Sequence, residues 1–316
     1  MSNKLKFGFL LCGGCAGCET AMVDLADRLV DALDILDVVF WAPTVADVKY
    51  KDLENMEDGS IDLAFVDGMV RLDEHEHMIK TLRKKSKTLV AFGACAALGG
   101  IPSMANMHTK EEIFQEVYFN TPSTDNPDEI LPQVSFLEQG KFDLTLPKFL
   151  DKVKCVDDVA EVDYYVGGCP PHHDFIAKIV EKIVKNELPE KGSWITSGKS
   201  VCDFCPKNPG TISMHRQKIE TIKRTTDLPD PDRCLLEQGY LCLGPMTQGD
   251  CNALCTKVNM PCRGCGGPIP GIKDFGAKAI SAIGSMLKTP EMAGDLKKKY
   301  NDLKKLFYRY LSLIHI

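Results

Sequence analysis

Fourteen of the 316 residues are cysteines, and four of them lie within residues 250–267, which read DCNALCTKVNMPCRGCGG. Thiols this close together either form disulfide bonds in an oxidising compartment or hold a metal in a reducing one. A chain of this length can bury a full apolar core, so it does not need disulfide bonds to stay folded. Several of the cysteines form C-x-x-C pairs, and the sequence therefore favours metal binding.

Composition and charge exclude several other classes of protein. Hydrophobic residues make up 44% of the chain and charged residues 26%, which is typical of a globular protein. The formal net charge is −6, so no basic surface indicates nucleic-acid binding. No apolar stretch reaches the ~20 residues of a membrane helix. The short N-terminal apolar run lacks an arginine pair and a small-residue cleavage site. We therefore expect a cytoplasmic protein without a membrane span.

The first 190 residues alternate between strand and helix patterns. Helical spacing of apolar residues predicts helices at Glu19–Leu33, Arg71–Lys85 and His172–Lys185. Nearly continuous apolar strands separated by helices predict an α/β fold with a doubly wound parallel sheet, which binds ligands at the carboxyl ends of its strands. The predicted strands are Lys4–Leu11, Asp37–Trp41, Ile61–Asp67, Thr88–Gly93 and Val162–Val166.

The chain after residue 190 follows a different pattern. As far as Gly271 it shows little periodicity, many glycines and prolines, and eight of the fourteen cysteines, so we expect cofactors to organise it in place of a conventional core. Residues 272–316 return to helical composition. Within the first part, Thr121–Lys148 is rich in Pro, Asp, Asn and Ser and predicts an irregular excursion. The predicted domains are 1–190 and 191–316.

Four cysteines follow strands of the predicted sheet. Cys15 and Cys18 come after the first strand, Cys95 after the fourth and Cys169 after the fifth. Because parallel strands bring their carboxyl ends to one edge, these four thiols are expected to converge there. The glycines beside them allow the backbone to approach an inorganic core closely. The sequence therefore predicts a four-cysteine metal site at this edge.

The eight later cysteines divide in sequence order into two further sets of four. Two such sets suit zinc as well as iron, because both metals accept tetrahedral sulfur. The third, convergent site in the same chain favours iron–sulfur clusters, since three clusters make an electron relay. Cys12 and Cys155 are interpreted as small buried apolar residues and not as ligands. The two sets are Cys202, Cys205, Cys234 and Cys242, and Cys251, Cys255, Cys262 and Cys265.

Three motifs carry a family resemblance. CAGCE at 15–19, GACAALGGIP at 93–102 and GGCPP at 167–171 resemble the small subunit of NiFe hydrogenases, and the resemblance covers most of residues 4–270. It implies a flavodoxin-like domain that docks against a large subunit, followed by a cluster-binding domain. The ligands it implies are Cys15, Cys18, Cys95 and Cys169 for a proximal 4Fe–4S cluster, Cys202, Cys205, Cys234 and Cys242 for a distal one, and Cys251, Cys255, Cys262 and Cys265 for a medial one.

The sequence departs from many periplasmic members of that family at two positions. Those members have histidine where Cys202 stands, and often proline where Cys255 stands, which leaves a 3Fe–4S medial cluster. With cysteine at both positions, the resemblance implies three 4Fe–4S clusters. The pattern is most similar to the cytoplasmic methyl-viologen-reducing, non-deazaflavin-reducing branch of methanogens.

The resemblance also implies a division of labour between subunits. We find no nucleophile–base pair, so no catalytic residue is expected in this chain, and hydrogen oxidation would take place at a NiFe site in the large subunit. The chain would relay the electrons to a downstream accepting subunit. In methanogens this would be a 2Fe–2S protein feeding heterodisulfide reductase.

Two other classes of protein stay open at this point. One is an iron–sulfur subunit of a quinone- or ferredoxin-linked respiratory complex, which would resemble only the first four-cysteine site; the eight later cysteines argue against it. The other is a scaffold organised by zinc. Broad brown absorption would indicate iron–sulfur clusters, whereas a zinc protein would be colourless.

Overall fold

The structure is a computed structural model that describes residues 4–42, 48–210 and 217–312. A six-stranded sheet lies at its centre, and all of the paired strands in it run parallel in the order β10-β9-β5-β3-β1-β2. The predicted doubly wound parallel sheet is confirmed. The strands are β1 (Leu5–Leu11), β2 (Leu36–Ala42), β3 (Ile61–Asp67), β4 (Val70–Leu72), β5 (Ser86–Phe92), β6 (Ser135–Glu138), β7 (Phe142–Thr145), β8 (Phe149–Lys154), β9 (Tyr164–Val166) and β10 (Ser193–Trp194).

Helices connect the strands and form most of the end of the chain. Two of the predicted helices are confirmed within two residues, and both bury one apolar face, as their periodicity predicts. The α-helices are α1 (Gly17–Val23), α2 (Asp27–Leu33), α3 (Tyr50–Asn55), α4 (Asp73–Lys85), α5 (Ala94–Leu98), α6 (Lys110–Gln115), α7 (His173–Val184), α8 (Val201–Phe204), α9 (Leu254–Lys257), α10 (Phe275–Met286), α11 (Met292–Lys299) and α12 (Leu303–Phe307).

The helix predicted over Glu19–Leu33 is instead two helices. α1 ends at Val23 and α2 begins at Asp27, with Ala26 at a positive φ of 50° between them. Met22 and Leu25, N-terminal to the break, lie in the core, whereas Val30 and Leu33 are 64% and 42% exposed. The helical spacing of apolar residues thus continues through the whole segment in the sequence. The positive φ of Ala26 nevertheless breaks the helix, so these residues do not form one buried face.

Part of the excursion predicted as irregular over Thr121–Lys148 is a β-hairpin. β6 and β7 pair antiparallel, with Phe136 opposite Leu144, and the turn between them places Gln139 and Gly140 at positive φ. The hairpin is almost entirely exposed. It buries no face, so it lacks the alternation of buried apolar and exposed polar residues by which strands are recognised.

Three clusters of buried apolar residues stabilise the structure. Two of them cover the opposite faces of the sheet, and the ring pair Phe65–Phe92, stacked at 4.8 Å, lies in one of these. The third contains residues from Val201 to Phe307. The expectation that the cysteine-rich segment has no core was wrong, because α10, α11 and α12 pack onto its apolar side chains. Its largest fully buried member is Tyr240, whose hydroxyl donates to the backbone carbonyl of Asp227.

The end of the described chain returns to the sheet. Leu311 forms an antiparallel bridge with Gly99, and the backbone N–H of Ser312 donates to the carbonyl oxygen of Leu98. The Ser103 hydroxyl donates to the Leu311 carbonyl. These bonds attach the C-terminal helices to the loop after α5. α5 itself contains Cys95, one of the predicted ligands.

Candidate metal centres

The structure brings the first four predicted ligands together at the carboxyl edge of the sheet. Burial raises the pKa of the Cys18 thiol far above its ordinary value, and the charges of Asp67, Cys95 and Cys169 raise it further. Burial likewise raises the pKa of Cys95 to about 12, with contributions from Cys169, Asp67 and Cys15. Thiols that raise one another's pKa in this way are close neighbours, and a cationic core would stabilise them as thiolates.

Glycine is required beside two of these sulfurs. A Cβ atom added at Gly93 would overlap Sγ of Cys18, and one at Gly100 would lie 2.5 Å from Sγ of Cys95. Both glycines have positive φ, 89° and 62°. The backbone therefore passes the thiols at a distance that no side chain allows, as the sequence predicts.

Two buried carboxyl groups lie next to this site and were missed by the sequence analysis. Asp67, at the end of β3, is 3% exposed and hydrogen-bonds the Cys18 thiol; burial raises its pKa to about 6. Glu19 is also buried and accepts a hydrogen bond from Nε1 of Trp41 over 2.9 Å. The sequence signal that could have revealed a buried carboxyl group here was Asp67 itself, a charged residue at the end of an apolar strand.

The second predicted set lines one cavity. Cys202 lies in α8 and Cys205 directly follows it, and both line the cavity together with Cys234 and Cys242. Burial raises the pKa of Cys242 to about 11, although backbone N–H groups, including that of Cys262, donate to its sulfur and lower it. The four thiols thus share a site to which the backbone already supplies hydrogen bonds.

The third set lies beside the other two. Burial raises the pKa of Cys265 to about 12, and Cys251, Cys169 and Cys255 contribute through their charges. Burial also raises the pKa of Cys262, with contributions from Cys265 and from Cys242 of the second set. The third set therefore adjoins the first set through Cys265 and Cys169, and it adjoins the second set through Cys262 and Cys242.

Backbone contacts hold the sets next to one another. The N–H of Cys262 donates to Sγ of Cys242 over 3.3 Å, and the N–H of Gly168 donates to the carbonyl oxygen of Cys265 over 3.0 Å. A Cβ atom at Gly167 would overlap the carbonyl oxygen of Gly266. The order in space is first, third and second set.

The spacing of the sulfurs fits clusters better than single ions. A zinc ion bonded to four sulfurs at ~2.3 Å brings them to within about 3.8 Å of one another. Over the described ranges, only two groups have three ligand atoms mutually within 4.8 Å, and neither belongs to the three cysteine sets. A four-iron cube carries its thiolates further apart, at its corners. The two groups whose ligand atoms lie within 4.8 Å of one another are His172, His173 and Asp174, and Cys155, Asp157 and Asp158.

The two cysteines predicted not to be ligands are buried. Cys12 is 8% exposed and packs in the apolar cluster on one face of the sheet. Cys155 is 1% exposed, and its backbone N–H donates to Asp158. The structure describes all fourteen cysteines, and none is in a disulfide bond. That Cys12 and Cys155 are not ligands stays a prediction.

Comparisons with known proteins show which family the chain belongs to. A family model described as NADH ubiquinone oxidoreductase, 20 Kd subunit, matches residues 15–183. The chain is 59% identical to the iron–sulfur subunit of the F420-non-reducing hydrogenase of Archaeoglobus profundus, over 97% of this chain and 95% of that one. It is 34% identical to a subunit of the F420-non-reducing hydrogenase of Methanothermobacter marburgensis, over 92% and 87%.

Solved structures show the same fold. The NiFeSe hydrogenase of Dm. baculatum aligns with a TM-score of 0.52 at 19% identity, over 85% of this chain and 96% of that one. A NAD⁺-reducing NiFe hydrogenase in the H₂-reduced state aligns with a TM-score of 0.50 at 26% identity, over 60% and 95%.

Fold and cysteine sites together define an iron–sulfur electron-transfer subunit of an oxidoreductase. The chain belongs to the family of the NADH ubiquinone oxidoreductase 20 Kd subunit and is, within it, a NiFe hydrogenase small subunit. Membership of this family implies that the chain carries iron–sulfur clusters. In the described part of the chain, we find no helix with the length and apolar character to span a membrane.

Proposed function

We propose that the chain relays electrons from hydrogen oxidation through three 4Fe–4S clusters. The first set of cysteines would hold the proximal cluster, the third set the medial cluster and the second set the distal one. Each cluster would accept and release one electron at a time. The ligands are Cys15, Cys18, Cys95 and Cys169; Cys251, Cys255, Cys262 and Cys265; and Cys202, Cys205, Cys234 and Cys242.

The observation that carries the proposal is the position of the third set between the other two. Cys265 lies beside Cys169 of the first set, and Cys262 hydrogen-bonds Cys242 of the second. Structural sites that only stabilise the fold need no such contact with one another. Sites that pass electrons do, because each transfer needs a close neighbour.

The chain's own residues would prepare these sites in three ways. Glycines such as Gly93 and Gly100 let the backbone approach the proximal thiolates closely. Backbone N–H groups donate to sulfur, as Cys262 does to Cys242, and this stabilises the more negative, reduced state. Burial of Cys18, Cys242 and Cys262 excludes water from these ligand sulfurs. The clusters, when bound, supply the redox chemistry.

The proposal extends to partners and location. The NiFe-bearing large subunit would dock at the proximal edge of the sheet, and a downstream subunit would accept electrons from the distal site. In methanogens we propose a 2Fe–2S protein feeding heterodisulfide reductase. Fourteen cysteines without a disulfide bond fit a reducing compartment, so we propose a cytoplasmic location.

A subunit of a respiratory complex is the second candidate, because the matching family model carries the name of one. That match ends at residue 183, before the eight later cysteines. Cysteines that form two further sites beyond the matched part are not explained by this candidate.

The test is anaerobic purification of the native complex with identification of its subunits. We expect a hydrogenase large subunit, roughly twelve irons on this chain and reduced 4Fe–4S signals in EPR. Co-purification with quinone-reducing subunits and about four irons would favour the second candidate. A colourless chain that contains zinc would contradict both.

A further inference from the structure

Arg263 stands between two ligands of the proposed medial cluster, Cys262 and Cys265, and its guanidinium is incompletely hydrogen-bonded. Its Nη1 atom is buried and has no hydrogen-bond partner among the residues that the structure describes. A buried N–H of a charged group without an acceptor is costly, so native structures supply an acceptor for almost all of them.

Among the residues that the structure describes, no carboxylate balances the charge of Arg263. Burial lowers the pKa of its guanidinium, and the charge of Arg309 lowers it further, while Tyr300, Cys242 and Tyr310 raise it. No carboxylate is among these groups. Arginine nevertheless stays protonated in proteins. Within the part of the chain that the structure describes, a half-buried cation therefore lies beside the cysteines and forms no ion pair with a carboxylate.

The positive charge of Arg263 also acts on a thiol of the medial set. Burial and Cys251 raise the pKa of Cys255, whereas the positive charge of Arg263 lowers it. Arg263 is thus close to Cys255 of the medial set and to Cys242 of the distal set, on the side where these two sets adjoin. Tyr310 also lies near Arg263, and it is near Cys265 and Cys169.

We infer that the guanidinium of Arg263 is the chain's charge partner for the medial cluster and raises its reduction potential. The cluster would be the acceptor that Nη1 lacks in the protein. Reduction adds negative charge to the cluster, and a half-buried cation with a buried N–H donor stabilises that charge. The inference rests on the proposed function, because it assumes that the third set holds a cluster.

Lys257 provides the matched control. It lies in the same segment, at the end of α9 and two residues from Cys255, but its side chain is exposed. Water and salt screen an exposed charge, so removing it should change the potential little. A comparison of the two positions separates a specific partner from a general effect of positive charge.

The experiment is an EPR-monitored redox titration of the complete complex with Arg263→Gln, Arg263→Met and Lys257→Gln. We expect the medial midpoint to move to a more negative value in both Arg263 variants, with the proximal midpoint unchanged. Lys257→Gln should titrate as wild type. An unchanged medial midpoint in a fully loaded Arg263 variant, or an equal shift in Lys257→Gln, would overturn the inference.

A second measurement needs no change at Arg263. Complex labelled with ¹⁵N at the arginine guanidinium nitrogens alone should show, in pulsed EPR, a nitrogen coupled to the reduced medial cluster, and Arg309→Lys should retain that coupling. Its absence would overturn the inference even if the Arg263 variants did not assemble. Iron analysis separates the two proposals: a wild-type chain with only about eight irons would hold two clusters, which contradicts the proposed function itself.

Discussion

The backbone N–H of Cys262 donates a hydrogen bond to Sγ of Cys242 over 3.3 Å, so a residue of one predicted ligand set bonds directly to a sulfur of another. Both residues are buried, at 6% exposure each. The two sites are therefore parts of one packed unit. A change at one of them is expected to affect the redox properties of the other, and variants are best compared by following each cluster separately.

Cys255→Pro should convert the proposed medial cluster to a 3Fe–4S form. Position 255 is in the first turn of α9, where a proline costs little, but proline offers no sulfur to the fourth iron. We expect about one iron fewer per chain and a new EPR signal from the oxidised protein. Cys255→Ala should give the same result, because the lost thiolate is the cause. Full iron content in both variants would show that Cys255 is not a ligand.

Cys169→Ser should interrupt the relay next to the large subunit. Cys169 is the proposed proximal ligand nearest the medial set. Hydrogen–deuterium exchange at the NiFe site should persist in the assembled complex, while hydrogen-dependent dye reduction falls to a small fraction of the wild-type rate. Cys155→Ser, which alters a buried cysteine outside the proposed path, serves as the control. Undiminished dye reduction by Cys169→Ser would remove this residue from the path.

Gly93→Ala should disturb the proximal site. The added Cβ would overlap Sγ of Cys18, and the φ of 89° is already unfavourable for alanine. We expect loss of about four irons from the chain. Gly192→Ala is matched for backbone strain, with φ of 81°, but its Cβ would meet nothing within 4 Å. It should keep all its iron and lose only about 1 kcal/mol of stability. Equal iron content in the two variants would contradict the prediction.

Cys12→Ala and Cys155→Ala should leave the iron content unchanged. Both thiols are buried among other groups of the sheet, so the expected effect is a loss of roughly 1 kcal/mol in the free energy of unfolding. Iron analysis and thermal unfolding of the complex measure the two effects. A deficit of about four irons in the Cys12 variant would reassign the proximal ligands, since Cys12 and Cys15 also form a C-x-x-C pair.

Asp163→Asn should destabilise the sheet in a pH-dependent way. Burial would raise the pKa of this carboxyl, but hydrogen bonds from Lys191, Arg83 and the N–H of Leu89 lower it overall. A carboxyl whose pKa is lower in the folded state stabilises the fold above its unfolded pKa of ~3.9, and this contribution is lost as pH falls through the folded pKa. We expect a loss of about 2 kcal/mol at neutral pH.

Thermal unfolding of the complex from neutral pH to below pH ~4 tests this, because the difference from wild type should shrink across that range. Glu181→Gln is the control. Its carboxylate pairs with Lys185 on the exposed side of α7, where an ion pair contributes little. A loss that stays constant with pH would show that Asp163 acts through packing and not through its charge.

The sheet and the first cysteine set were predictable because both depend on local sequence. Apolar runs such as Ile61–Asp67 form strands, and parallel strands place the residues that follow them at one edge. Cys18, Cys95 and Cys169 converge for that reason, although they are far apart in the chain.

The features that sequence analysis missed depend on contacts between distant residues. Ala26 ends a helix whose periodicity continues, and Phe275 and Ile283 complete a core for a segment that has too few apolar residues of its own. Whether a charged side chain has a hydrogen-bond partner can also be seen only in a structure. Asp67 beside Cys18 and the unpartnered nitrogen of Arg263 were therefore not visible in the sequence.

The close contact of Gly167 and Gly168 with Cys265 and Gly266 has a kinetic consequence. The rate of electron tunnelling falls exponentially as the distance between two redox centres grows. Here the sheet touches the cysteine-rich segment backbone to backbone, with no side chain between them. On the proposed assignment, this backbone contact fixes the distance between the proximal and medial clusters. A hinge opening there would lengthen this distance and slow the transfer, whereas bending that leaves this contact and the Cys262–Cys242 hydrogen bond intact would not.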